Sequence, residues 1–223
     1  MNTIERISLE NNNNEFNKYI IDFHKQRYSV ASEYVNGKNT LDIACGTGYG
    51  TDIIKKAGAF DAIGIDIDNS AIKEAKSKYE VKGLSYFCHD YNDLKDINKI
   101  EPELAEKLKN QLDIIVSFET IEHLEKPDDF LKIISKYLKK DGLLITSVPV
   151  TPSVDANPFH LHDFTSDSFK RLLNDNGFEV IKSIFQKQNF NPFSVKKNMV
   201  DSGREIRKNL ISYYFSNPSK LFI

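Results

Sequence analysis

Between Leu41 and Gly50 the chain reads Leu-Asp-Ile-Ala-Cys-Gly-Thr-Gly-Tyr-Gly, an apolar run that enters a glycine-dense turn and then a helix. Glycines at 46, 48 and 50 let the backbone take positive φ and approach a ligand with no Cβ in the way. The N-terminus of the following helix presents N–H groups suited to a polar ligand. About one βα unit later, Gly64-Ile65-Asp66-Ile67-Asp68 puts Asp66 at a second strand end, where a carboxylate accepts both hydroxyls of a ribose. These are the parts of a nucleotide-type cofactor site. Farther on, Glu119, Glu122 and His123 fall at i, i+3 and i+4 and share one face if that segment turns helically. With His160 or His162 they make a set of hard-metal ligands or of proton acceptors.

The elements that position these groups alternate. Apolar and aromatic residues from Phe16 to Val35 recur at helical spacing, and Asn36-Gly37 closes that helix. The pattern then predicts strands at 39–43, 61–66, 84–88, 112–118, 142–148 and 178–187. Helices are predicted at about 49–57, 69–80, 127–139 and 165–176. Such alternation argues a parallel sheet wrapped by right-handed crossovers. Asn69 or Ser70 is expected to cap the helix at 69, and Pro127-Asp128-Asp129 and Thr165-Ser166-Asp167 to open two others. Asp141-Gly142 and Asn176-Gly177 are expected to close helices. The polar, helix-prone stretch from Ile97 to Gln111 is expected to decorate the surface before the fourth strand.

At 223 residues, with 40% hydrophobic and 28% charged residues, the chain has the composition of a soluble globular domain with a full core. A formal charge of −2 gives no global basic field for a polyphosphate partner, so a nucleic-acid partner is not expected. The basic residues Lys196, Lys197, Arg204, Arg207 and Lys208 read first as a solvated helix face. Cys45 and Cys88 form neither a metal-type pair nor a disulfide framework and are expected as small core residues. Residues Met1 to Asn14 are polar, and no apolar run approaches the roughly 20 residues that span a bilayer. The expectation is a cytoplasmic protein without a membrane span.

The glycine spacing separates cofactor classes. A dinucleotide pyrophosphate wants G-x-G-x-x-G, whereas this chain has G-x-G-x-G preceded by Asp42, a charge that repels a pyrophosphate and suits a cationic amino group. The stretch resembles motif I of the class I S-adenosylmethionine-dependent methyltransferases, and the resemblance spans roughly residues 24 to 187. It implies an α/β, Rossmann-like doubly wound fold, with a mostly parallel seven-stranded sheet and helices on both faces. Residues 1–187 would form the methyltransferase domain with its N-terminal helix. Residues 188–223 would be a C-terminal extension docking on that domain, covering the substrate or making a homo-oligomer contact.

The same resemblance implies S-adenosyl-L-methionine as cofactor. Asp66 would hold the ribose, Asp90 the adenine amino group, and Arg27 and Tyr28 would face the cofactor carboxylate, with Tyr28 reading equally well as a core residue. Asp42, Ala44, Gly46, Gly48, Ile67, Tyr91, Phe118 and Glu119 complete the expected cofactor positions. The segment from Ser117 to Leu124 looks like that of small-molecule methyltransferases and not the Asp-Pro-Pro-Tyr type used on exocyclic amines of bases. The run Asn157-Pro158-Phe159-His160-Leu161-His162-Asp163-Phe164 resembles a loop of methyltransferases encoded with glycan and other cell-surface biosynthesis enzymes, as does His24-Gln26-Arg27-Tyr28.

A hydroxyl acceptor needs a base or a metal, because a protonated hydroxyl is a poor nucleophile even toward an activated methyl group. His123, His160 and His162 are the candidate bases, lying nearest the C-terminal edge of the sheet. The leading expectation is O-methylation of a saccharide, nucleotide sugar or related small-molecule glycan precursor, with histidine base assistance and no metal. The alternative is metal-assisted methylation of vicinal oxygens, on a ribose 3′ end or quinone-like ring, with Glu119, Glu122, His123 and His160 around a divalent ion. The resemblance is similar here to small-RNA and quinone-ring methyltransferases. A non-catalytic cofactor-binding module stands as the remote alternative.

Overall fold

Five strands in a single parallel sheet carry the structure, a computed structural model that describes residues 15–79, 81–109, 111–150, 154 and 157–186. β1 (Asn39–Ile43), β2 (Asp61–Asp66), β3 (Leu84–Cys88), β4 (Leu112–Phe118) and β5 (Leu138–Ser147) lie in the order β3-β2-β1-β4-β5, every pairing parallel. The helices are α1 (Glu15–Ser32), α2 (Tyr49–Lys56), α3 (Asn69–Lys78), α4 (Pro102–Lys109), α5 (Pro127–Ser135) and α6 (Ser166–Asp175). Strands covered on both faces must be apolar throughout, and in β4 Ile114, Ile115 and Val116 are all buried. Strand order reverses between β1 and β4. In open α/β sheets the carboxyl ends at that switch point form the ligand crevice.

Among the described residues, 15–121 and 129–147 pack as one compact unit and 122–128 with 148–186 as a second. In the first, Tyr28 and Ala31 of α1, with Val35 just beyond its end, meet Tyr49 and Ile54 of α2 and Ile114, Val116 and Phe118 of β4. Burying each large side chain there contributes about 1.5–3 kcal/mol. In the second, the Thr165 side chain accepts from the Ser168 amide and the Ser168 hydroxyl accepts from the Thr165 amide, which fixes the start of α6. Asn176, just past its end, donates to Asp128 at 2.8 Å.

Several expectations are corrected. The sheet has five strands among the described residues, not seven, and 178–186 forms no strand. Ile181, Ile184 and Phe185 there are exposed; apolar periodicity supplies a face, but only a ladder partner makes a strand. The 97–111 stretch is not mere decoration. α4 buries Leu104, Ala105 and Leu108, a stripe hidden in a polar segment when composition is averaged over it. Asp68, not Asn69 or Ser70, caps α3 by accepting from the Ser70 and Ala71 amides. Asp141-Gly142 closes no helix: α5 stops at Ser135, and those residues sit where the β4–β5 register shifts between the Leu112–Leu138 and Ile114–Leu143 pairs. Cys45 is buried as expected, whereas Cys88 is only partly so. The N-terminal polar run and the 188–223 extension lie outside the described residues.

One buried polar knot joins α1, β1 and α2. The Tyr28 hydroxyl donates to the Asp42 carboxyl at 3.2 Å and the Thr51 hydroxyl donates to it at 2.7 Å. Asp42 and Thr51 have no exposed surface. Burial pushes the Asp42 carboxyl up to about 7, against the two hydroxyl donors and with the charge of Asp66 adding to the push. Above this knot Gly50 is indispensable for space: a Cβ there would lie 1.9 Å from the Tyr28 ring.

Two predictions follow from the knot. Gly50→Ala should destabilise by about 1–3 kcal/mol through overpacking. Gly46→Ala meets nothing within 4 Å and should lose about 1–2 kcal/mol through its positive φ alone. Urea unfolding of both checks this, and a neutral Gly50→Ala would mean that the Tyr28 ring moves freely. Because native Asp42 keeps a proton that the unfolded chain releases near pH 4, stability should decline as pH climbs from about 4 to about 7, by at most roughly 4 kcal/mol, and be level above. The difference between wild-type and Asp42→Asn unfolding curves isolates this slope; parallel curves across that window would refute it.

Candidate functional site

The glycine turn leaves β1 with three departures from ordinary backbone, at alternate residues. Ala44, Gly46 and Gly48 all have positive φ, at 62°, 55° and 81°. Gly46 and Gly48 take the conformation for which glycine was expected, while Gly50 does not and is required by Tyr28 instead. Ala44 carries strain that glycine would not, and nothing in its residue type signals it. Tyr86 secures the turn by donating its hydroxyl to the Gly48 carbonyl at 2.8 Å.

Asp66 is held in place by backbone. The Gly46 amide donates to one of its oxygens and the Asp68 amide to the other, each at 2.9 Å. A carboxylate oxygen has two lone pairs, the chemistry that accepts the hydroxyls of a diol. Ile67 beside it is 54% exposed, an apolar surface next to a fixed carboxylate. Asp90 stands at the N-terminus of a 3₁₀ turn (Tyr91–Lys95), one oxygen accepting from the Asn92 amide at 2.8 Å. It caps that turn whatever else it binds. Tyr91 packs edge-on against Phe130, ring centroids 5.3 Å apart.

Arg27 and Tyr28 diverge. Tyr28 is core, edge-on to Tyr49 and Phe118, which is itself buried. Arg27 pairs with Glu119 at 3.3 Å, and Glu119 also accepts from the Ser147 hydroxyl at 2.7 Å. Glu119 has φ of 49°, so the chain does not turn helically from that residue. The expected single face of Glu119, Glu122 and His123 therefore does not form: only Ile121–His123 makes a short 3₁₀ turn. Asp42 likewise has its carboxyl engaged inside the core, by Tyr28 and by Thr51, a partner that sequence reasoning missed. A polar residue at a buried position of α2 was the available signal.

In the second unit, residues 122–124 and 159–162 are stitched together. The Leu161 and His162 amides both donate to the Glu122 carbonyl, at 2.8 and 3.2 Å. His123 Nδ1 bonds the Phe159 carbonyl at 2.9 Å, and His162 Nε2 bonds the Leu124 carbonyl at 2.7 Å. A carbonyl only accepts, so both nitrogens carry hydrogens. This assigns the tautomers and leaves His123 Nε2 as a lone pair when the ring is neutral. That atom lies 3.8 Å from a carboxylate oxygen of fully buried Glu122. The His123 and His160 rings meet edge-on at 4.7 Å.

Ligand atoms of Glu122, His123 and His160 all fall within 4.8 Å of one another, the one such cluster among the described residues. Of the expected metal set, Glu119 is instead engaged by Arg27 and Ser147. His162 is tied to the same loop but is not a member of the cluster. The arrangement can take a proton from a hydroxyl at His123 Nε2, or hold a cation between a carboxylate and two imidazoles.

Comparison with known proteins agrees with this geometry. Residues 16–183 match the methyltransferase domain family. The chain is 28% identical over 182 residues to a probable S-adenosylmethionine-dependent methyltransferase of Mycobacterium tuberculosis strain H37Rv, covering 79% of this chain and 59% of that protein. It is 28% identical over 131 residues to the ubiquinone biosynthesis O-methyltransferase of Coxiella burnetii strain RSA 493, covering 58% of this chain and 51% of that protein. It thus spans between half and three fifths of the length of these relatives. Magnesium protoporphyrin IX methyltransferase from Synechocystis PCC 6803, with bound S-adenosylmethionine, shares the fold at a TM-score of 0.60 and 19% identity, covering 83% of each chain. With a glycine turn, a backbone-held carboxylate at the second strand end and a family match running from residue 16 to residue 183, the chain belongs to the methyltransferase domain family.

Proposed function

We propose that this chain transfers a methyl group from S-adenosylmethionine to an oxygen of a small-molecule acceptor, with His123 as general base. The observation that carries the base assignment is the Nδ1 bond of His123 to the Phe159 carbonyl, which presents Nε2 as a lone pair beside Glu122. The cofactor assignment draws on the relatives' activities and on the fit of the residues: a turn with no Cβ at Gly46 and Gly48, a fixed Asp66 carboxylate and an exposed apolar Ile67. Asp66 would accept the ribose hydroxyls, and Ile67, Asp90 and Tyr91 would border the adenine. Arg27 would meet the cofactor carboxylate while keeping Glu119.

When bound, S-adenosylmethionine would supply a sulfonium-activated methyl group for transfer to the acceptor oxygen. His123 Nε2 takes the hydroxyl proton, and the Glu122 carboxylate favours the resulting imidazolium by proximity. The Phe159 carbonyl keeps the ring oriented throughout. His160, edge-on to His123, borders the acceptor oxygen, and His162 holds the loop through Leu124.

A saccharide or nucleotide-sugar acceptor is supported by the resemblance of the Asn157–Phe164 loop. The second reading, metal-assisted methylation of vicinal oxygens, is favoured by the clustering of Glu122, His123 and His160 and by the ubiquinone O-methyltransferase among the relatives. An ion there would supply Lewis acidity to adjacent oxygens.

Asp66→Ala should weaken S-adenosylhomocysteine binding about 10- to 100-fold, since each charge-assisted hydrogen bond lost contributes roughly 1.5–3 kcal/mol; equal affinity in calorimetry would remove Asp66 from the site. Titrating Mg²⁺ and Mn²⁺ into the S-adenosylhomocysteine complex of wild type and His123→Ala separates the two readings. No saturable binding to either supports the base. Saturable binding to wild type that disappears in His123→Ala transfers the assignment to the metal.

A further inference from the structure

Where β3 ends, His89 lies between two carboxylates, its Nδ1 3.2 Å from Asp93 and its Nε2 in contact with Glu101. Carboxylates only accept, so both bonds exist together only when the ring carries both hydrogens, as imidazolium. The side chain is 12% exposed, whereas Asp93 and Glu101 are 46% and 52% exposed. Around it the backbone is closely knit. The His89 amide donates to the Asp66 carbonyl at 3.1 Å, and the Asp93 carboxylate that meets the imidazole also accepts the Asp90 amide at 3.2 Å.

Protonated His89 therefore ties the end of β3 to both the 3₁₀ turn that begins at Tyr91 and the residue before α4. A neutral ring would release one tie and set a lone pair against a carboxylate. The charged groups facing it are Asp93 on that turn and Glu101 ahead of α4, with Lys76 of α3 acting on Glu101 and the partly buried thiol of Cys88 next to it in the chain.

We propose that His89 is a positioning residue for cofactor binding: as imidazolium it fixes the Asp90–Tyr91 turn, and its deprotonation loosens that turn and weakens cofactor affinity. The proposal rests on the reading of Asp90 and Tyr91 as the adenine border. Burial pulls the imidazole down, but the bonds to Glu101 and Asp93 outweigh it and hold its pKa above the ordinary value. The contribution is thus complete at acid pH and is lost as pH rises through the raised pKa.

The test is the S-adenosylhomocysteine dissociation constant by calorimetry from pH 6 to pH 8.5, for wild type, His89→Gln and Glu101→Gln. The quantity read is the ratio of His89→Gln to wild type, in which other titrating groups cancel. We expect this ratio to be about 5 or more at pH 6 and to fall toward unity at the alkaline end. Glu101→Gln should move the fall to lower pH. A ratio that is constant across the range, whatever its size, marks a merely structural residue and overturns the proposal. Histidine ring NMR on wild type, with the His89 signal assigned by its loss in the variant, gives an independent check: titration at or below the ordinary value of about 6.5 also overturns it. Wild type that binds no S-adenosylhomocysteine at any pH would refute the cofactor reading itself, a result distinct from either.

Discussion

The structure depends on a carboxyl group buried where it is least comfortable. Asp42 occupies the second-to-last position of the central strand β1, with no surface exposed, and its partners are hydroxyls from the helices before and after that strand. Neither hydroxyl is a charge, so burial dominates and the group keeps its proton to about pH 7. Its consequence is geometric. Tyr28 must reach over the start of α2 to make the bond, and only a residue without Cβ at position 50 leaves room for the ring. The glycine turn is thus shaped from below by packing as much as from above by whatever it binds.

Asp66 solves a different problem at the neighbouring strand end. It is nearly as buried, yet its carboxylate accepts two backbone amides, one from the glycine turn and one from the entry to α3. Backbone donors cost no side-chain entropy to hold, so the carboxylate is aimed before any ligand arrives. Because one donor is Gly46, the turn and the carboxylate fix each other. Two acidic strand ends therefore have distinct duties: Asp42 locks the elements together, and Asp66 offers lone pairs in a defined direction.

Periodicity made the first four strands and the helix order legible, since a doubly covered strand has no choice but to be apolar and each crossover needs a helix. What stayed hidden were properties that depend on a partner distant in sequence. Residues 178–186 have strand-like apolar spacing but no ladder. α4 shows its stripe only once Leu104 and Leu108 meet the core. At the site, the glycines, Asp66 and the histidine loop were readable from residue type and spacing. The reason for Gly50, the strained Ala44 and the diversion of Glu119 to Arg27 were not, because each follows from a side chain contributed by another element.

The acceptor side shows how backbone can set side-chain chemistry. An imidazole in water exchanges its proton between two nitrogens, and a base with an undefined tautomer is present only part of the time. Here the carbonyl of Phe159 claims one nitrogen of His123 and the carbonyl of Leu124 claims one of His162, while the Glu122 carbonyl accepts two amides from the opposing loop. Two of these carbonyls thus decide which ring nitrogens carry the hydrogens. The loop sequence Phe-His-Leu-His contains no signal for this, because the deciding groups are main-chain oxygens common to every residue. Its chemistry comes from being pinned to residues 122–124, which places Nε2 of His123 beside a buried carboxylate, where a second acceptor makes any bridging proton or cation more strongly held.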